Sequence, residues 1–310
     1  MNKINGVYCA VLTPIKQDLS INKDLYLRHC QFLMKRGLDG LTPFGTNGEA
    51  SSFSLNQKKD GIDFLLDNRV DPKILIPGSG SSSIEDAIDM TRYCVEVGTR
   101  AVLVLPPYYF KNVSDDGVIN YYRKVIESSQ DNNFKFLLYN IPQHSGVTIN
   151  FQIIENLIKL YPNNVVGLKD STSNMENILK TVKYFDNFAV FCGNGALALH
   201  TSRRGGAGAI TGDANISAKL LSFIVHNHKK EKEIENFEQL QSLMESIRNV
   251  LSSHEQISLL KAYYSVVDDI EDWNNLMPPL KRIDNPRNNK QIISLLGLVS
   301  QIDKLVPSII

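Results

Sequence analysis

The chain has 310 residues, 43% hydrophobic and 21% charged, with 33 basic side chains balanced by 33 acidic ones. That length suits one large domain with an appendage or two ordinary domains, and supplies a core that needs no disulfide staples. Zero formal net charge argues against a nucleic-acid binder, which would carry a basic excess or stripe. Cys9, Cys30, Cys94 and Cys192 lie far apart with no C-x-x-C pair, which fits reduced thiols in a cytoplasmic protein better than a zinc site or a disulfide framework. The start, Met1 to Gly6, has no apolar signal-peptide core, and no apolar run approaches the roughly 20 residues of a membrane span. A soluble, enzyme-sized α/β protein is expected.

In chain order, short β-branched runs alternate with longer helical patterns. The candidate strands are Val7–Leu12, Gly40–Phe44, Ile74–Pro77, Ala101–Leu105, Phe136–Tyr139, Val165–Leu168, Ala189–Cys192 and Gly208–Thr211. Most are apolar on both sides of the pleat, as parallel strands covered on both faces must be. Helical patterns fall between them, among them Asp24–Lys35, Leu55–Leu66, Ile84–Val97, Val118–Ser128, Ile153–Leu160, Asn174–Phe185, Ala196–Arg203 and Ala218–His226. Ser54 and Gln57 read as a capping box, and Gly37 and Gly98 as helix stops. Eight strand–helix units within about 228 residues predict an eight-stranded (β/α) barrel; a doubly wound open sheet shares the rhythm and is the competitor.

Beyond residue 229 the strand signal ends. Leu240, Leu243, Met244, Ile247, Val250 and Leu251 mark one helical face, Ile257–Val267 and Lys290–Ile302 look helical, and Pro278-Pro279 breaks the chain between them. The expected division is a barrel over residues 1–228 and a helical domain over residues 229–310. The charge run from His228 to Glu233 reads as a solvated helix start or linker.

Barrel enzymes react at the C-terminal ends of their strands. Lys169 follows the apolar run Val165–Leu168, Tyr139 ends the candidate strand before it, and Gly45-Thr46-Asn47-Gly48-Glu49 follows the second strand. Desolvation favours the neutral amine of a lysine, the form that attacks a ketone to make a Schiff base; the alternative for Lys169 is a pair with an acid at the barrel rim. Neighbouring strands lie about 4.8 Å apart, which brings the Tyr139 phenol within reach as a proton carrier; its alternative is a core aromatic with a backbone partner. The glycine turn offers N–H groups, a hydroxyl and an amide suited to a carboxylate or phosphate, or is an ordinary turn before the Ser54 cap. Amine, proton shuttle and anion cradle together describe a site for a 2-oxo acid.

With Pro107-Tyr108-Tyr109, Tyr139-Asn140-Ile141-Pro142, Gly167-Leu168-Lys169-Asp170-Ser171 and Gly206-Ala207-Gly208-Ala209-Ile210 added to that turn, the chain resembles the dihydrodipicolinate synthase / N-acetylneuraminate lyase superfamily over nearly its whole length. The resemblance implies a TIM barrel with a C-terminal helical domain, usually a homotetramer built as a pair of dimers. It implies a class I aldolase in which Lys169 forms an imine with pyruvate or another 2-oxo acid, Tyr139 is the acid/base residue, and Thr46 and Asn47, beside Gly48, hold the substrate carboxylate with backbone help near Ile210. Tyr109 would complete a proton relay across the dimer interface, and no metal or dissociable cofactor is implied.

Two departures matter. Synthases of the lysine pathway show Thr-Thr in the glycine turn, where this chain has Thr46-Asn47, and an arginine two residues beyond the Tyr-Asn-x-Pro proline, where it has His144. Histidine lacks the permanent, bidentate charge of arginine. Aldol cleavage or condensation of a hydroxylated 2-oxo acid is therefore expected over 4-hydroxy-tetrahydrodipicolinate synthesis from pyruvate and aspartate semialdehyde. A sugar-acid dehydratase and a 2-oxo acid sensor on an inactive barrel are the remaining alternatives. Gly78-Ser79-Gly80 is a weak dinucleotide signal, Arg203-Arg204 fits a helix end better than a phosphate site, and His226-x-His228 has no further ligand at metal spacing.

Overall fold

The computed structural model describes residues 4–307. Seven parallel strands, β1 (Gly6–Cys9), β2 (Gly40–Leu41), β3 (Val102–Val104), β4 (Phe136–Asn140), β5 (Val165–Asp170), β6 (Ala189–Cys192) and β7 (Gly208–Thr211), pair in the order β2-β1-β7-β6-β5-β4-β3. Residues 75–78 fill the gap between β2 and β3, bridging Leu41 through Leu75 and Leu103 through Gly78. The Ile76 N–H donates to Leu41 O at 2.9 Å, and the Leu103 N–H donates to Pro77 O at 2.9 Å. The sheet thus closes into a (β/α) barrel with eight staves, which rules out the doubly wound alternative. The third stave lacks a continuous ladder because Pro77 has no N–H to give, and the expected strand starts one residue later, since Pro72–Ile74 forms a 3-10 turn.

Alternation along the staves separates two apolar layers. Tyr8, Ile76, Leu103, Leu137, Tyr139, Phe191 and Ile210 fill the barrel, whereas Val7, Val104, Leu138, Leu168, Val190 and Ala209 pack outward beneath the helices. This two-sided burial explains the unbroken apolar runs in the sequence. The surrounding helices are Lys23–Lys35, Leu55–Asp67, Ile84–Glu96, Asp115–Ser128, Phe151–Leu160, Met175–Tyr184, Ala198–Arg203 and Ala214–Asn227. Ser54 and Gln57 form the expected reciprocal cap. Gly37 (φ 88°) and Gly98 (φ 74°) take the left-handed turn that ends their helices.

Among the described residues three further α-helices follow, Phe237–Ser252, Gln256–Val267 and Lys290–Leu305. The first buries Leu240, Leu243, Met244, Ile247 and Leu251, with Val250 half-buried. Among the described residues no helix is long and apolar enough to cross a membrane. His226 pairs with Asp39 rather than with His228, and Arg203 pairs with Glu231.

Where the Gln256–Val267 helix meets the barrel, His29 is buried edge-on against Tyr264 and Trp273. Asn215 gives its Nδ2 protons to Ala10 O and Gly212 O, so its Oδ1 is the acceptor for Leu12 N–H and for His29 Nε2–H at 2.9 Å. Burial lowers the His29 pKa from 6.5 to about 4, against the hydrogen bond to Asn215. The unfolded chain therefore takes up a proton below pH 6.5 that the folded chain refuses until about pH 4. Stability from this group is complete above pH 6.5 and falls by about 3 kcal/mol as the pH drops to 4. Urea denaturation across that range, compared with His29→Gln, checks this: the variant should show a shallower acid limb, and parallel limbs would refute it.

Candidate active site

The observed β5 runs two residues beyond the expected strand and includes Lys169 and Asp170. Lys169 therefore sits in register between Tyr139 of β4 and Phe191 of β6. Both neighbours face the barrel interior, and so does Lys169, at 2% exposure. Its ammonium rests over the Tyr139 ring, 4.3 Å from the centroid. Among the described residues no carboxylate lies within ion-pair distance of it. The adjacent Asp170 is turned outward and occupied: it accepts from Thr172 N–H at 2.8 Å, from Asn177 Nδ2 at 2.8 Å and from Asn140 Nδ2 at 3.3 Å. The rim-pair alternative for Lys169 has no partner here. Burial holds the Cys9 thiol well above its ordinary pKa, leaving it unreactive.

The Tyr139 hydroxyl lies 3.0 Å from Thr46 Oγ1. Its partner is thus a side chain of the glycine turn, not the backbone group a core aromatic would use. Phe44 (φ 52°) and Glu49 (φ 57°) bound the turn in left-handed backbone. Gly48 lies so close to Val11 O and Phe44 N that a Cβ would sit within 3.0 to 3.1 Å of them. The Gly48, Glu49 and Ala50 N–H groups are used inside the turn, and among the described residues those of Thr46 and Asn47 have no protein acceptor. The Asn47 side chain wedges against Gly212, just after β7.

A cavity of about 650 Å³ opens above this floor, lined by Thr46, Asn47, Tyr108, Tyr139 and His144 on the barrel side and by Arg248 on the helical side. Lys169 and Ile210 do not themselves line it; Lys169 is reached through Tyr139, and Ile210 is buried beside Tyr8 on the interior of β7. His144 belongs to a short helix, Pro142–Ser145, which the periodicity does not reveal. Tyr109 stands apart: it is 76% exposed, its ring against Phe110 at 5.3 Å, and it joins no other site residue within the chain.

The dihydrodipicolinate synthetase family profile matches residues 3–295. The chain belongs to that family. It is a Schiff-base-forming lyase. The chain is 31% identical over 244 residues to a 4-hydroxy-tetrahydrodipicolinate synthase from Pelagibacter ubique, covering 78% of each chain. Among solved structures it is similar to a dihydrodipicolinate synthase from Agrobacterium tumefaciens (TM-score 0.83, 26% identity, 97% of this chain and 99% of that one). It shares the fold of a sialic acid aldolase from Ruminococcus gnavus (TM-score 0.86, 18% identity, 98% of each chain).

The family motifs account for the barrel side of the cavity but not for its helical side. Arg248 donates to Asp213 Oδ1 at 2.9 Å, while its buried Nε has no partner. Glu49 forms a fully buried ion pair with Lys261. Arg248 and Lys261 lie in no local motif, whereas Glu49 closes the glycine turn. The one available signal was Lys261 itself, a lone charge inside the apolar run from Ile257 to Tyr264.

Proposed function

We propose that Lys169 forms an imine with pyruvate or a closely related 2-oxo acid, and that Tyr139 moves the protons this requires. The observation that carries the reading is the buried Lys169 amine over the Tyr139 ring, with the Tyr139 hydroxyl 3.0 Å from Thr46. The amine adds to the ketone, and water leaves to give an iminium. With a 4-hydroxy-2-oxo acid bound as the iminium, the C4 hydroxyl gives its proton to the Tyr139 path as the C3–C4 bond breaks, its electron pair passes into the iminium and an aldehyde leaves. The enamine takes a proton at C3, and water hydrolyses the imine to release pyruvate and restore the amine. Tyr139 and Thr46 form the proton path, and Asn47, Gly48 and the free turn N–H groups receive the carboxylate, with Ile210 behind them. No metal or dissociable cofactor takes part in these steps.

The reading assigns the chemistry to a barrel over residues 1–228 and closure of its mouth to helices over residues 229–310. It includes a cytoplasmic homotetramer in which the exposed Tyr109 reaches a neighbouring copy. Four buried, unpaired cysteines suit a reducing compartment. His144 on the cavity wall favours aldol chemistry on a hydroxylated 2-oxo acid. The Pelagibacter relative's name favours the second reading, condensation of pyruvate with aspartate semialdehyde.

Borohydride with pyruvate should add mass irreversibly to Lys169; folded protein without that adduct would overturn the reading. A panel of 2-oxo acids and aldehydes, read by pyruvate release or consumption, separates the two substrates. Faster turnover of aspartate semialdehyde than of every hydroxylated 2-oxo acid would return the synthase.

A further inference from the structure

Glu49 occupies a backbone conformation, φ 57°, that suits glycine or asparagine better than a long side chain. What the side chain does there is reach the other wall of the cavity. It is fully buried and ion-paired with Lys261, 212 residues away in sequence and equally buried. Its second oxygen, Oε2, accepts the Met277 N–H at 2.7 Å. Lys261 also donates to Asn275 O at 2.9 Å. Segment 275–277 leads directly to Pro279 and Leu280, which line the cavity opposite Thr46 and Asn47. At the other end, the Glu49 N–H donates to Thr46 O at 3.0 Å, and the Ala50 N–H donates to Gly45 O at 3.3 Å. Glu49 is thus built into the turn it anchors.

A buried ion pair is a poor stabiliser, because desolvation offsets its attraction, so placement is the better account of its presence. Charge gives a second account. An unneutralised Glu49 would stand behind the cradle meant for the substrate's own carboxylate.

We infer that Glu49 and Lys261 are positioning residues for the 2-oxo acid: the pair fixes the glycine turn against segment 275–280 and cancels the charge behind the carboxylate cradle. This rests on the reading of Lys169 and the turn given above.

The test is borohydride trapping with pyruvate, taking the half-saturating pyruvate concentration and the saturating rate of adduct formation on Lys169. The comparison is wild-type protein against Lys261→Met and against the charge-balanced double variant Glu49→Gln/Lys261→Met, each checked for fold by circular dichroism. The double variant, which buries no lone charge, should need about tenfold more pyruvate, with a saturating rate within about threefold of wild type. Lys261→Met should need more still, because it leaves the repulsive carboxylate in place, and Lys261→Arg should recover part of the loss. A wild-type adduct with an unmoved half-saturation in the folded double variant overturns the positioning role alone. A fall confined to the saturating rate also overturns it. If wild type gives no adduct, the reading of Lys169 falls and takes this inference with it. Should Lys261→Met fail to fold, the double variant decides.

Discussion

Replacing Lys169 by alanine is expected to lower turnover by on the order of 10⁴-fold or more and to abolish the borohydride adduct with pyruvate. Among the described residues no second amine is placed to take over. Lys261, the other fully buried lysine, is committed to Glu49, and a lysine elsewhere on the barrel surface would lack the Tyr139–Thr46 pair beside it. The fold should survive, because the ammonium of Lys169 contributes a contact with the Tyr139 ring and no ion pair among the described residues. A cation–π contact of this kind is worth about 0.5–2 kcal/mol. Lys169→Arg sharpens the comparison: the guanidinium keeps a positive charge over the ring but stays protonated and forms no imine. Loss of activity in both variants, with melting temperatures near wild type, assigns the effect to chemistry instead of packing. Pyruvate release from the best substrate of the panel and intact-protein mass after reduction are the two measurements. A rate within tenfold of wild type in either variant would remove Lys169 from the reaction.

The barrel was legible because burial on both faces leaves a coarse signature: β-branched runs of four to six residues, spaced by amphipathic helices, survive small errors at their ends. Those ends were the weak point. Leu168 closed the expected strand, yet Lys169 and Asp170 continue the ladder. Polarity marked them as loop, whereas backbone pairing to Asn140 and Cys192 keeps them extended. The error was informative, since a lysine on a strand has its direction fixed by the pleat, and that pleat aims it at Tyr139. The opposite failure occurred at residues 75–78, where an expected strand is present as a stave but bridges its neighbours at single points. The helical wall of the cavity was not legible. Glu49 and Lys261 meet only because the chain folds back over a separation of 212 positions, and Arg248 reaches Asp213 from a helix whose visible pattern is its apolar stripe. Spacing along a sequence encodes neighbours within an element, so contacts made by tertiary closure leave only oddities, such as one lysine among leucines.

Tyr139→Phe should cost about 10²- to 10³-fold in turnover while changing stability by only about 1 kcal/mol, the net worth of one hydrogen bond. Phenylalanine keeps the ring on which the Lys169 ammonium rests and deletes the hydroxyl that meets Thr46 at 3.0 Å. Imine formation then has to pass its protons through water. The expected signature is therefore kinetic: the pyruvate adduct still forms on Lys169, but slowly, and the half-saturating pyruvate concentration stays near that of wild type, because the carboxylate cradle is untouched. Thr46→Val removes the other end of the same hydrogen bond and leaves the phenol in place, so its loss should be smaller, roughly tenfold. The double variant should be little slower than Tyr139→Phe alone, as groups acting on one proton path are not additive. Additive losses would mean that Thr46 serves the substrate carboxylate directly and not through Tyr139. Rapid trapping by Tyr139→Phe at the wild-type rate would take the phenol out of imine formation and leave it the structural part of holding Lys169 in place.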